Sequence, residues 1–130
     1  MKHYLLAAFL AAFLAAAPGA AYAHGPLPAA QHGGAVAEAS DEHAVELVLN
    51  GNQMTVYVMD GSKPVPTAQL AGGKATVLIG GKSQTVVLTS AGANTLTGKL
   101  DRAASGKVTS VVTLTVEGKS AQARFTTTYP

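Results

Sequence analysis

From His43 onward the chain alternates between apolar and other residues with the period of two that marks a half-buried strand. In 43–49, Val45, Leu47 and Leu49 fall on one side and Ala44, Glu46 and Val48 on the other. Asn50-Gly51-Asn52 follows, residues that tolerate the positive φ of a tight hairpin. The return strand over 53–59 places Met54, Val56 and Val58 on a common face. Asp60-Gly61-Ser62 turns the chain again. Pro64 and Pro66 then keep 63–66 out of any central strand, because neither has an N–H to give a ladder.

The same alternation returns later in the chain. Segments 74–79 and 83–89 flank Gly80-Gly81 as a second hairpin, with Gly72-Gly73 as punctuation before it. A weaker strand spans 94–100, a long one 107–116, and a last one 120–128 after the turn Glu117-Gly118-Lys119. No window sustains a helical period. About seven short strands divided by turn signals predict an all-β fold, an antiparallel immunoglobulin-like β-sandwich, with a small barrel as the alternative.

Residues 1–40 break the pattern. Lys2 precedes the apolar run 5–17, Pro18-Gly19 ends it, and Ala21-Tyr22-Ala23 has the small-x-small form of a signal-peptidase site. The run is shorter than the ~20 residues of a membrane-spanning helix. Residues 1–23 therefore read as a cleaved signal helix, which predicts a periplasmic protein with no stable membrane span. Residues 24–40, rich in Gly, Pro and Ala, read as a flexible His-containing arm whose end, near 33–37, can pair onto the sheet. Residues 41–130 form the β domain.

Composition narrows the function. Removing 23 of the 130 residues leaves 107, enough for one domain. Aromatics make up 5% and Trp is absent, so the core falls to aliphatic side chains. Cysteine is absent, which excludes disulfides and thiolate metal sites. The formal net charge is +2 with no basic run, so the footprint of a nucleic-acid binder is missing. Neither paired carboxylates nor a Ser-His-Asp spacing suggests a catalyst. An oxygenase built on an N-terminal His and copper would need a broad aromatic face that this chain lacks.

Metal binding is the chemistry that remains. Cleavage after Ala23 makes His24 the first residue, with an α-amine and an imidazole that can chelate one ion. Nitrogen donors of this kind suit Cu(II) or Zn(II). Pro26 has no amide proton, which excludes the alternative copper mode that needs a deprotonated third amide. His32, ahead of Gly33-Gly34, and His43, on the Val45 face, are the further candidate ligands. His43 can equally be a partly buried His hydrogen-bonded at a strand end. Glu38, Asp41, Glu42 and Asp60 could add oxygens or hold a tautomer, and acidic turn residues are otherwise solvated. Met54 could offer a thioether, although core filling suits it as well, and by parity it faces away from Met59. Tyr57 reads as a lone exposed aromatic or as the mark of a partner-binding edge.

Gln31-His32-Gly33-Gly34, then His43-Ala44-Val45-Glu46-Leu47-Val48, then Val56-Tyr57-Val58-Met59-Asp60 and Lys63-Pro64-Val65, together resemble small exported β domains. Such domains occur alone or with the periplasmic adaptor subunits of bacterial heavy-metal (RND-type) efflux pumps. The likeness covers roughly 32–100. It implies metal-contacting roles for His32 and His43 in copper, zinc, cobalt or nickel handling, with an efflux adaptor as a partner. A second resemblance, to the CopC family of periplasmic copper-resistance proteins, rests on His24 and the architecture. The strand motifs of that family have no counterpart here. The expectation is a metal carrier or buffer in resistance or efflux, not an enzyme. Its alternative is an interaction module that docks onto an efflux adaptor or envelope protein without metal.

Overall fold

The alternation along the chain becomes an inside and an outside in the computed structural model, which describes residues 26–130. Nine antiparallel strands are present, with one 3-10 turn (Thr67–Gln69) and no α-helix among the described residues. The strands are β1 (Ala35–Glu38), β2 (His43–Asn50), β3 (Gln53–Asp60), β4 (Lys63–Pro64), β5 (Leu70–Ile79), β6 (Lys82–Ser90), β7 (Thr95–Lys99), β8 (Gly106–Val116) and β9 (Lys119–Tyr129). They form one nearly closed sheet in the order β1-β2-β3-β7-β6-β5-β8-β9, with β4 beside β3. Its two ends approach where the Gln122 N–H donates to the Ala39 carbonyl at 3.0 Å.

Strand β6 joins two halves. It pairs with β5 from Lys82 to Leu88, then turns Thr89 and Ser90 to β7. The order β8-β5-β6-β7 is that of a Greek key, with β8 returning beside β5. The returning segment is tied to the first hairpin, since Leu100 N–H donates to Asn52 O and Ala104 N–H to Gly51 O.

The count of nine exceeds the seven expected from sequence, for identifiable reasons. Strand β1 lies in the Gly- and Ala-rich arm, where no apolar alternation marks it, yet it pairs with β2 from Ala35↔Leu47 to Glu38↔Ala44. Strand β4 is two residues at an edge, where Pro64 needs no ladder N–H. Gly72-Gly73 does not end a strand. It lies inside β5, at a register shift between Ala71 and Gly73 against β8, the behaviour of a bulge.

Between the halves, inward residues fill a single aliphatic core. Val45, Leu47, Met54, Val56 and Val58 meet Val77, Ile79, Leu88, Val112 and Leu114, with Phe125 as its buried aromatic. Each of these large side chains contributes about 1.5–3 kcal/mol by leaving water. Met54, fully buried, belongs to this core, and Met59 is buried on the opposite parity. One polar atom breaks the pattern. Ser110, on the inward face of β8, has a buried hydroxyl without a hydrogen-bond partner.

Candidate functional site

Glu46 organises the outer face of β2. Its parity points it away from the core, yet it is fully buried. Val36 of β1 and Tyr57 of β3 flank it in register. Residues 31–34 lie across it. The chain folds back at Gly33, whose φ of +73° is the left-handed value glycine adopts freely. Gly34 then passes so close to β2 that a Cβ would strike the Leu47 carbonyl and approach Val48 Cγ2 to 2.9 Å. Both glycines are required, one for its φ and the other for its lack of bulk.

That path points three backbone N–H groups at one carboxylate. Gln31 N–H donates to Oε1 at 3.0 Å, and the N–H groups of His32 and Gly34 donate to Oε2, each at 2.9 Å. The His32 ring adds Nδ1 to Oε1 at 3.0 Å. Successive amides converging in this way form an anion-binding nest, filled here by the protein's own side chain. Burial pushes the Glu46 carboxyl up. The His32 ring and the amides of Gly34, Gln31 and His32 together outweigh burial and hold it below the usual carboxylate range.

The same contact sets the state of His32. A carboxylate can only accept, so the proton of neutral His32 sits on Nδ1 and the lone pair on Nε2. The ring lies face to face on Tyr57, with centroids 3.7 Å apart and planes 1° from parallel. It remains 40% exposed. An imidazole fixed at one nitrogen by a carboxylate and open at the other is the arrangement that orients a metal-ligating His.

The other candidates are distributed differently. His43 is nearly buried, its Nδ1 3.0 Å from Ser40 Oγ, which also accepts the His43 N–H. Its strand parity is inward, opposite to that of Glu46, so the sheet separates it from His32. Glu38, Asp41 and Glu42 line one hollow together with His43, Ala44 and Pro26, Leu27 and Pro28 of the arm. Asp60 is the register partner of His43. Among the described residues no three His, Cys, Asp or Glu gather as a metal-binding group. His24 and the signal segment 1–23 lie outside the described residues. Tyr57 is not a bare aromatic, because the His32 ring stacks on it, and it is not at a sheet edge, because β3 lies between β2 and β7.

Glu46 is the residue that sequence reasoning passes over. Alternation marks it as one more outward charge. The available clue is Gln31-His32-Gly33-Gly34 itself, a polar leader with two glycines that needs a local acceptor for its amides. Comparison with protein-family models, with curated proteins and with solved structures finds no match for this chain. No helix among the described residues is long and apolar enough to cross a membrane.

Proposed function

We propose that this is a small exported periplasmic protein that binds a divalent metal ion, Cu(II) or Zn(II), as a carrier or buffer in metal resistance or efflux. His32 Nε2 is one ligand, and the amine and imidazole of His24 are the others. The observation that supports this reading is the Glu46–His32–Tyr57 stack, which fixes the His32 tautomer, with the lone pair on Nε2, on a ring that stays 40% exposed. His43, tied to Ser40 on the other side of the sheet, has the weaker claim. Asp41, Glu42 and Asp60 are at most outer acceptors, and buried Met54 is a core residue. We read the two halves, joined at β6, as an immunoglobulin-like sandwich, which the Greek-key order favours.

Calorimetric titration of the processed protein with Cu(II) at neutral pH tests the proposal. One ion per chain is expected, with loss of uptake in His32→Ala. Glu46→Gln should weaken binding by about 10- to 100-fold, the usual cost of removing a partner that orients a ligand. One extra residue ahead of His24 should weaken it too. Absence of uptake by the intact chain overturns the metal reading.

A second reading, a module that docks onto an efflux adaptor or envelope protein without metal, draws on strand β9. It ends the sheet order, and beyond Gln122 its outer edge has no backbone partner among the described residues. By alternation the N–H groups of Arg124, Thr126 and Thr128 point outward, open to an added strand. Thr126→Pro should block such pairing while leaving the β8 ladder intact. Retained binding of the adaptor by that variant counts against this reading.

A further inference from the structure

The outer face of β5, β6, β8 and β9 is uncovered, unlike that of β2 and β3. It carries two of the three exposed large hydrophobics among the described residues, Val87 (68% exposed) and Leu78 (42% exposed). Lys74 is the register partner of Val87, and Lys107 and Arg124 stand on the same outward parity. Around them the face is mostly threonine and contains no carboxylate.

The complementary charge lies elsewhere in the same chain. Residues 26–60 hold five carboxylates and no Lys or Arg, whereas 61–130 hold eight Lys and Arg against two carboxylates. Glu46 is consumed internally. Glu38, Asp41, Glu42 and Asp60 are exposed, and the first three line a hollow with Pro26, Leu27 and Pro28. Lys63 stands opposite Asp60 in the β3–β4 pairing and Lys119 lines a hollow with Asp41 and Glu42, but neither closes to an ion pair: among the described residues the sole ion pair is His32–Glu46.

We infer that the uncovered cationic face docks on the acidic arm side of a second copy of this chain, head to tail. Val87 and the Lys74 stem supply apolar contact, and the unpaired charges of each copy find opposite charges on the next. A contact between two different surfaces does not close at two subunits, so the assembly grows with concentration. Exposed ion pairs each contribute little and are screened by salt, so the association is weak and salt-labile.

Sedimentation equilibrium of the purified protein, with chelator present to exclude metal bridging, tests this. At low ionic strength the average mass should rise with concentration past two chains. In about 0.5 M salt, where the screening length is only a few ångströms, it should fall back to the monomer. Lys74→Glu with Arg124→Glu should give a monomer with an unchanged circular dichroism spectrum. Asp41→Lys with Glu42→Lys should do the same, and mixing the two variants should restore association. Val87→Asp, at an outward position, provides an independent monomerising variant. The inference is overturned by a protein that stays monomeric at high concentration in low salt. It is equally overturned by association indifferent to salt and charge reversal, or by a discrete dimer that both variants keep.

Discussion

The two outer faces of this molecule obey the same alternation and meet opposite fates. On β8 and β9 the outward residues, Thr109, Thr113, Gln122 and Thr126 among them, remain on an uncovered surface. On β2 and β3 the outward residues Glu46 and Tyr57 lie beneath residues 31–34. The difference teaches that a period of two assigns a side to each residue without deciding whether that side stays wet. What decides it on β2 is a short leader with glycine at 33 and 34, able to hug the strand and deliver its amides to one buried carboxylate.

The sharpest way to break this contrast is Glu46→Ala. It leaves the amides of residues 31, 32 and 34 without their acceptor and should cost about 3 kcal/mol, the range for removing a buried charged partner. Urea denaturation reads the loss. Amide exchange should accelerate at residues 31–34 and stay unchanged in β8. Acid acts on the same group. Glu46 is held below the ordinary glutamate value of 4.5 in the fold, so its contribution is present above that value. It disappears only as pH falls through the lower, folded one. In the metal-free protein, amide protection of the leader should therefore survive at pH 4.5 and vanish in stronger acid. Loss of protection on mild acidification to pH 5.5 would contradict that assignment.

Gly34→Ala comes next. Its methyl group meets the Leu47 carbonyl, a backbone atom that cannot step aside, so the leader must lift at a cost of about 2 kcal/mol. The thermal midpoint and the Tyr57 environment, read by near-UV circular dichroism, should change together. Ser110→Ala works in the other direction. It removes a hydroxyl buried without a partner and should stabilise the protein by about 1 kcal/mol. A destabilised Ser110→Ala would mean that the hydroxyl is satisfied in solution. Thr85→Ala, on the uncovered face, should change stability by less than about 0.5 kcal/mol. A larger effect would show that this face is covered after all.

Much of the architecture is legible in the chain. The hairpin at Asn50-Gly51-Asn52, the inward set Val45, Leu47, Val56 and Val58, and the opposite faces of Met54 and Met59 all follow from turn chemistry and parity. Strand β1 is legible only as the pairing of the arm's end near 33–37, and β4 is not legible, because each exists through its neighbour and carries no apolar rhythm of its own. Gly72-Gly73 misleads, since a bulge and a strand end use the same residue. At the site, His32 stands out by its chemistry and Gly33-Gly34 by its flexibility. Their joint purpose depends on Glu46, which no local pattern separates from any other outward acid. The covering of half-buried Tyr57 by the His32 ring is hidden for the same reason: it needs a segment twenty-five residues upstream to cross β2.

The nest around Glu46 and the seam between Ala39 and Gln122 also differ in when they can form. The nest joins residues only 12 to 15 apart in sequence, so it closes a short loop at small entropic cost. The seam unites the first strand with the last and must wait until the whole Greek key is in place. A chain interrupted before β9 can therefore carry a finished leader clasp on an unsealed sheet, and truncation there removes closure while sparing the clasp.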